Sequence, residues 1–196
     1  LADKFKKTKK EKILYNNDWY KDEDFFTVDT PKLGWALVSK ENIPNSTNKN
    51  YLQQTQELAK YLADEVFKNE DTSPEYHEAI VEFEDYYTKH FQGKTDLEIK
   101  VLLQSNDWKK YAQELSDLKI NQFTRQTPDE ALYDNLMYFE KNNSRILEKK
   151  FTWTKRRSSR GDLIHVGYFG ADGARVGGWY PDFSDDDLGV SFSRSL

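Results

Sequence analysis

The chain has 196 residues, and at that length about 70% of the unfolded surface can be buried, so one domain can form without disulfides or metals. The absence of cysteine excludes disulfides, thiolate metal sites and a cysteine nucleophile. Hydrophobic residues make up 37% of the sequence, and 12 Tyr, 12 Phe and 5 Trp supply large apolar surfaces. We therefore expect a soluble protein with an aromatic-rich core, no membrane span and no cofactor.

The net charge of -5 is distributed unevenly along the chain. Residues 1–12 carry +4 and residues 145–160 carry +6, whereas residues 13–144 carry -11 and the last 36 residues carry -4. Two basic segments in an acidic protein indicate an anionic partner. The alternative is that these cations pair with the acidic groups of the protein itself.

The first predicted elements lie before residue 50. The basic N-terminal segment, residues 1–14, is interpreted as a short helix or a tail. Two β-rich runs around Phe26 and Leu37, separated by a turn at residues 31–34, predict a short β-hairpin near residues 25–39 or, as the alternative, two short edge strands. The polar stretch that follows provides Asn48 or Asn50 as the N-cap of the next element.

The helical part is predicted for about residues 48–147. Apolar residues recur every three or four positions between residues 51 and 67, which is typical of an amphipathic helix. A threonine followed three residues later by glutamate occurs at Thr72, Thr95 and Thr127, and each motif predicts a helix start. Asn106 is the predicted N-cap of one further helix.

The β part is predicted for about residues 151–196, because the apolar period changes to two after Leu147. Four strands in sequence favour an antiparallel meander covered by helices on one face. The expected fold class is α+β, with a helical N-terminal three-quarters packed on a small C-terminal antiparallel meander. We expect a single domain over residues 1–196, since four short strands need a covering layer; the alternative is a domain boundary at Leu147.

Cations and aromatic residues alternate in residues 149–160. Trp153, Lys155 and Arg157 are expected on one strand face, with Arg156 beside them. A face of this composition can contact phosphates and stack on bases, which favours single-stranded nucleic-acid binding. In the alternative, Trp153 packs under the helices and the cations lie at the strand end.

Two further residues are candidates for a binding site. His165, in the middle of a predicted strand, is a candidate general base or a packed histidine. Trp179 belongs to an aromatic pair that could stack on a sugar ring or form part of the core.

Four carboxylates lie close together before the last predicted strand. Asp182, Asp185, Asp186 and Asp187 offer the oxygen ligands that calcium and magnesium prefer. Their spacing differs from that of an EF-hand loop, so the alternative is a solvated turn or a partner for nearby arginines. We therefore predict these aspartates as a candidate metal site with that alternative open.

The sequence lacks a phosphate-binding loop, a dinucleotide-binding fingerprint and a GxSxG nucleophile motif. The leading hypothesis is therefore a non-catalytic binding or interaction module whose partner is another protein or an anionic ligand. The alternatives are nucleic-acid binding through residues 149–160 and a carboxylate- or metal-dependent hydrolase. A pair of carboxylates is enough for glycoside hydrolysis, and no pair stands out in the sequence.

Residues 30–52, TPKLGWALVSKENIPNSTNKNYL, and residues 187–194, DLGVSFSR, carry a resemblance to other proteins. They resemble a family of uncharacterised bacterial proteins from the genomes of uncultured lineages. The resemblance covers most of the chain and implies a bacterial origin. Because no activity is assigned to that family, it implies no catalytic residue in this chain.

Overall fold

The computed structural model describes residues 12–31, 34–68 and 71–195. It confirms the α+β fold class, with helices before residue 143 and most strands after residue 150. Of the basic N-terminal segment, residues 1–11 lie outside the described residues. No helix of the described part is both long and apolar enough to cross a membrane.

The elements are α1 (Asp24–Thr27), β1 (Ala36–Val38), α2 (Tyr51–Tyr61), α3 (Pro74–His90), α4 (Asp96–Leu103), α5 (Trp108–Asp117), α6 (Lys119–Thr124), α7 (Pro128–Asn142), β2 (Phe151–Arg157), β3 (Leu163–Gly170), β4 (Gly173–Trp179), β5 (Leu188–Gly189) and β6 (Ser193–Ser195).

Three predicted helix starts are confirmed by hydrogen bonds at their N-caps. The side chains of Asn50, Thr95 and Thr127 each accept a hydrogen bond from the backbone amide of the residue three positions later. The side chain of that later residue accepts a hydrogen bond from the backbone amide of the N-cap residue. This exchange satisfies amide groups that the first turn leaves free. α2 then continues into a π-helical turn, Leu62–Val66, within the predicted helix.

Two predicted N-caps are wrong by one residue. α3 begins at Pro74 with Ser73 as its N-cap, so Thr72 lies outside the helix. α5 begins after Asp107 instead of Asn106. Neither Ser73 nor Asp107 makes a side-chain capping bond, so these helices begin without the predicted stabilisation.

The predicted hairpin at residues 25–39 is wrong, because its two β-rich runs do not pair. The first run lies in the short helix α1. The second forms β1, whose antiparallel partner is β6, with Leu37 opposite Arg194. Of the two edge strands in the alternative interpretation, the second is therefore present and the first is not, and the distant partner of β1 was not predictable.

The C-terminal sheet has the strand order β4-β3-β2-β5. β2, β3 and β4 form the predicted antiparallel meander. The fourth strand is a correction: β5 runs parallel to β2, with Leu188 opposite Phe151. The chain then leaves this sheet to pair with β1.

Helices cover both faces of this sheet instead of the single face predicted. Trp153 and Leu163 belong to the larger buried cluster, which is formed with α2, α3, α4, α5 and α6. Ile164 and Val166 point to the opposite face, into a second cluster that includes Tyr20. Because neighbouring residues of a strand point to opposite faces, β3 contributes to both clusters. α7 and the segment before α1 form the cover of this second face.

Candidate functional site

Two arginines of β2, Arg156 and Arg157, form hydrogen bonds with other side chains of the protein. Arg156 makes a two-bond ion pair with Asp29, with Nε 2.6 Å from Oδ2 and Nη2 3.0 Å from Oδ1. Arg157 donates from Nε to the Oγ of Ser116 at 2.9 Å. Both arginines line a cleft of about 610 Å³ that also contains Asp117. This arrangement agrees with the alternative in which the basic segment pairs with the acidic body of the protein.

Trp153 lies in the interior between the sheet and the helices, and the partly buried His165 packs beside it. Trp153 is 1% exposed and packs edge-to-face against Tyr51 at 5.8 Å and against His165 at 5.0 Å between ring centroids. The Nε1 of Trp153 and the Nδ1 of His165 are buried without hydrogen-bond partners. Burial lowers the pKa of His165 to about 4, so the imidazole is neutral at pH 7. The predicted stacking face is therefore not formed, because Trp153 does not reach the surface.

Trp179 lies at the surface and is 42% exposed. Its ring stacks on that of Tyr180, with centroids 5.4 Å apart, and meets Phe183 edge-on at 5.1 Å. Trp179 lines neither the cleft beside Arg156 nor the groove described below. The structure therefore separates it from the predicted cations.

The four predicted metal-binding aspartates fall into two environments. Asp182 is buried and accepts a hydrogen bond from Gln104 at 2.6 Å, and burial raises the pKa of Asp182. Asp185, Asp186 and Asp187 present carboxylate oxygens within 4.8 Å of one another. Hydrogen bonding to Asp185 raises the pKa of Asp186. Asp182 is thus separate from the three-carboxylate turn.

A groove of about 800 Å³ lies between β1 and the helices α6 and α7. Trp35, immediately before β1, is 84% exposed, and Phe123 and Tyr133 on the opposite wall are 40% and 44% exposed. Tyr76 and Tyr138 complete its aromatic lining. We call this concavity the Trp35 groove.

Two carboxylates of α7 face the Trp35 groove. Glu130, fixed by the capping bond from the Thr127 amide at 2.9 Å, has its Oε2 3.8 Å from the Nζ of Lys155. Asp134 lies one helical turn further on and accepts a bond from the Nε2 of Gln126 at 2.7 Å. Burial, and to a smaller extent the charge of Glu130, raise the pKa of Asp134, although the Gln126 bond opposes them.

A buried cation, Arg125, also lines the groove. It is 1% exposed, and its Nε donates to the Oδ1 of Asn121 at 2.7 Å. Its guanidinium lies 3.9 Å from the centre of the Tyr51 ring. In the described ranges its guanidinium also donates to the oxygens of Gln54, Tyr51 and Thr55, which are neutral, and burial lowers its pKa to about 10. Neutral acceptors and an aromatic ring therefore hold this positive charge.

Of the predicted binding residues, only Lys155 lines the Trp35 groove. The sequence predicts Trp35 as part of a hairpin or an edge strand and does not indicate its exposure. The sequence predicts Glu130 only as part of a helix cap. Tyr133 and Asp134 fall outside the apolar stripe of α7, and that off-stripe position was the signal in the sequence that could have identified them.

Comparisons with protein-family models, with curated proteins and with solved structures found no match for this chain.

Proposed function

We propose that this protein is a non-catalytic binding module and that the Trp35 groove is its ligand-binding site. The observation that supports the proposal is the meeting of Trp35, Phe123 and Tyr133, all substantially exposed, in one concavity. Exposed apolar surface that is gathered in one place marks an interaction site more often than isolated exposed residues do. The volume of about 800 Å³ lies in the range of small-ligand sites, which is roughly 300–1,000 Å³.

The five tryptophans provide a direct test, because they report on different parts of the molecule. Indole resonances of ¹⁵N-tryptophan-labelled protein, assigned by single substitutions, would be followed while mixtures of small peptides, nucleotides and sugars are added. We expect a binding mixture to shift the Trp35 resonance while the Trp179 resonance stays in place. A ligand that shifts Trp179 and leaves Trp35 unchanged would overturn the assignment of the groove.

Nucleic-acid binding through residues 149–160 is the first alternative. The Arg156–Asp29 ion pair and the Arg157–Ser116 bond give it less support, because a phosphate would have to compete with existing partners. The double substitution Arg156→Glu, Arg157→Glu is its direct test. If the protein binds single-stranded DNA, that substitution should abolish binding, and added salt should weaken binding to the unsubstituted protein.

A carboxylate hydrolase is the second alternative, and the position of Asp134 favours it over other enzymes. Asp134 has a raised pKa and lies one turn from Glu130 in a groove with aromatic rings. Two carboxylates in different environments can act as acid and base. Prolonged incubation with any bound oligosaccharide, followed by analysis for new reducing ends, separates a hydrolase from a binding module.

A further inference from the structure

The apolar lining of the Trp35 groove consists largely of flat aromatic rings. Trp35 and Tyr133 are the most exposed of them, and Tyr76, Phe123 and Tyr138 also contribute. An aromatic face suits a ligand that is itself flat and apolar on one side. The rings of a saccharide have this character, because their C–H groups form apolar faces and their hydroxyl groups point outwards along the edges.

The polar lining contains hydrogen-bonding groups that are only partly used. One oxygen of Asp134 accepts the bond from Gln126, and the other receives no hydrogen bond from the described residues. Glu130 adds a second carboxylate on the same helix face, four residues earlier. Ionised carboxylates only accept hydrogen bonds, so they suit a ligand that presents several donors, as adjacent hydroxyl groups do.

The charges around the Trp35 groove balance. Among the described residues that line it, three side chains are basic and three are acidic. A polyanion such as nucleic acid gains affinity mainly from an excess of positive charge, which this groove does not have. The balance favours an uncharged ligand. The charged lining residues are Lys40, Arg125, Lys155, Glu75, Glu130 and Asp134.

We infer that the ligand of the Trp35 groove is an uncharged oligosaccharide, an inference that rests on the function proposed above. Trp35 and Tyr133 stack on the faces of its sugar rings, and Asp134 and Glu130 accept hydrogen bonds from its hydroxyl groups. Lys155 lies beside Glu130, and its ammonium donates to the carbonyl oxygen of Gln122 at 3.2 Å. A short peptide and an acidic glycan are the competing ligands, and the test below distinguishes them.

The test begins with a printed array of neutral and acidic oligosaccharides, with a library of short acetylated peptides screened in parallel. The strongest neutral glycan is then titrated by calorimetry into the unsubstituted protein, Trp35→Ala and Asp134→Asn. Trp179→Ala serves as the control, since it removes an exposed tryptophan from a different surface. We expect each groove variant to weaken binding by about tenfold. The control and added salt should leave the affinity unchanged.

The outcomes separate the inference from the proposed function. Binding only to acidic glycans or to peptides, with the same loss in Trp35→Ala, would overturn the saccharide inference and leave the groove as the binding site. Binding that responds to Trp179→Ala but not to Trp35→Ala would overturn the proposed site itself. An array on which no neutral glycan is retained would also overturn the saccharide inference.

Discussion

The imidazole of His165 is surrounded by aromatic rings on several sides. Phe151 and Trp153 meet it edge-on at 4.9 and 5.0 Å, and Phe183 lies parallel to it at 6.5 Å. No hydrogen bond from the described part of the chain reaches its Nδ1. The ring therefore acts in this structure as a neutral packing group, and its protonation is unfavourable in the folded protein.

His165 should make stability depend on pH in a defined window. Its pKa is about 4 in the folded protein and near 6.5 when unfolded, so between these values the unfolded chain binds a proton that the folded chain does not. Stability should fall as the pH drops through this window, by about 2–3 kcal/mol in total. His165→Leu should remove that part of the loss. Urea unfolding of the unsubstituted protein and of His165→Leu at pH 7 and at pH 4.5 measures the difference. An equal loss of unfolding free energy in the two proteins would show that His165 is not the group responsible.

Gly177 lies directly under the same ring. A Cβ atom at this position would lie 2.3 Å from the Nε2 of His165, whereas one at Gly34 would have no neighbour within 4 Å. Gly177→Ala should therefore destabilise the fold by about 1–3 kcal/mol. The matched control Gly34→Ala should change stability by less than about 0.5 kcal/mol. Chemical denaturation measures the free energy of unfolding of both variants. Equal changes in the two would show that the His165 ring moves aside without cost.

At the scale of elements, two helix starts of similar sequence behave differently. Thr127 caps α7, whereas Thr72 lies one residue before the N-cap of α3. Thr127→Ala should therefore cost about 1 kcal/mol of stability, and the control Thr72→Ala should cost almost nothing. Thermal unfolding of the two variants tests this prediction, which a larger loss in Thr72→Ala would refute.

The position of proline explains this difference and shows what the sequence can predict. Proline favours the first helical position, so the residue before a proline becomes the N-cap. That residue is Thr127 before Pro128, whereas it is Ser73 before Pro74. Local rules of this kind act over four or five residues, which is why the helix starts at Thr95 and Thr127 were predictable. At Thr72 the threonine-glutamate spacing and the position of the proline conflict, and the proline determines where α3 begins.

The Trp35 groove was not predictable from such rules. One of its walls is β1, and β1 is held by β6, which lies more than 150 residues later in the chain. Strand pairing over this distance depends on the whole fold and leaves no local pattern. The balance of exposed and buried aromatic rings is likewise decided by the fold, since a sequence with this many aromatic residues does not mark which of them stay at the surface.

At the scale of the whole molecule, the C-terminal sheet joins two buried clusters. Trp153 of β2 contributes to one and Ile164 of β3 to the other, on opposite faces of the same sheet. Neither cluster can keep its apolar surface buried if the sheet is lost. The sheet therefore couples the helices to the segment around Tyr20.

This coupling predicts one cooperative unfolding transition. Urea unfolding followed by far-ultraviolet circular dichroism, which reports mainly on helices, and by tryptophan fluorescence should give the same midpoint. A fragment of residues 148–196 should remain unfolded, because its strands would have no covering layer. Two separated midpoints, or a folded fragment, would instead place a domain boundary near Leu147.

The β1–β6 pairing also has a consequence for the newly synthesised chain. At roughly 5 to 20 residues per second, the ribosome makes β6 about eight to thirty seconds after β1. During that interval β1 has no strand partner, although Trp35 and Leu37 beside it already present apolar surface. The wall of the Trp35 groove is thus completed only when almost the whole chain has been made.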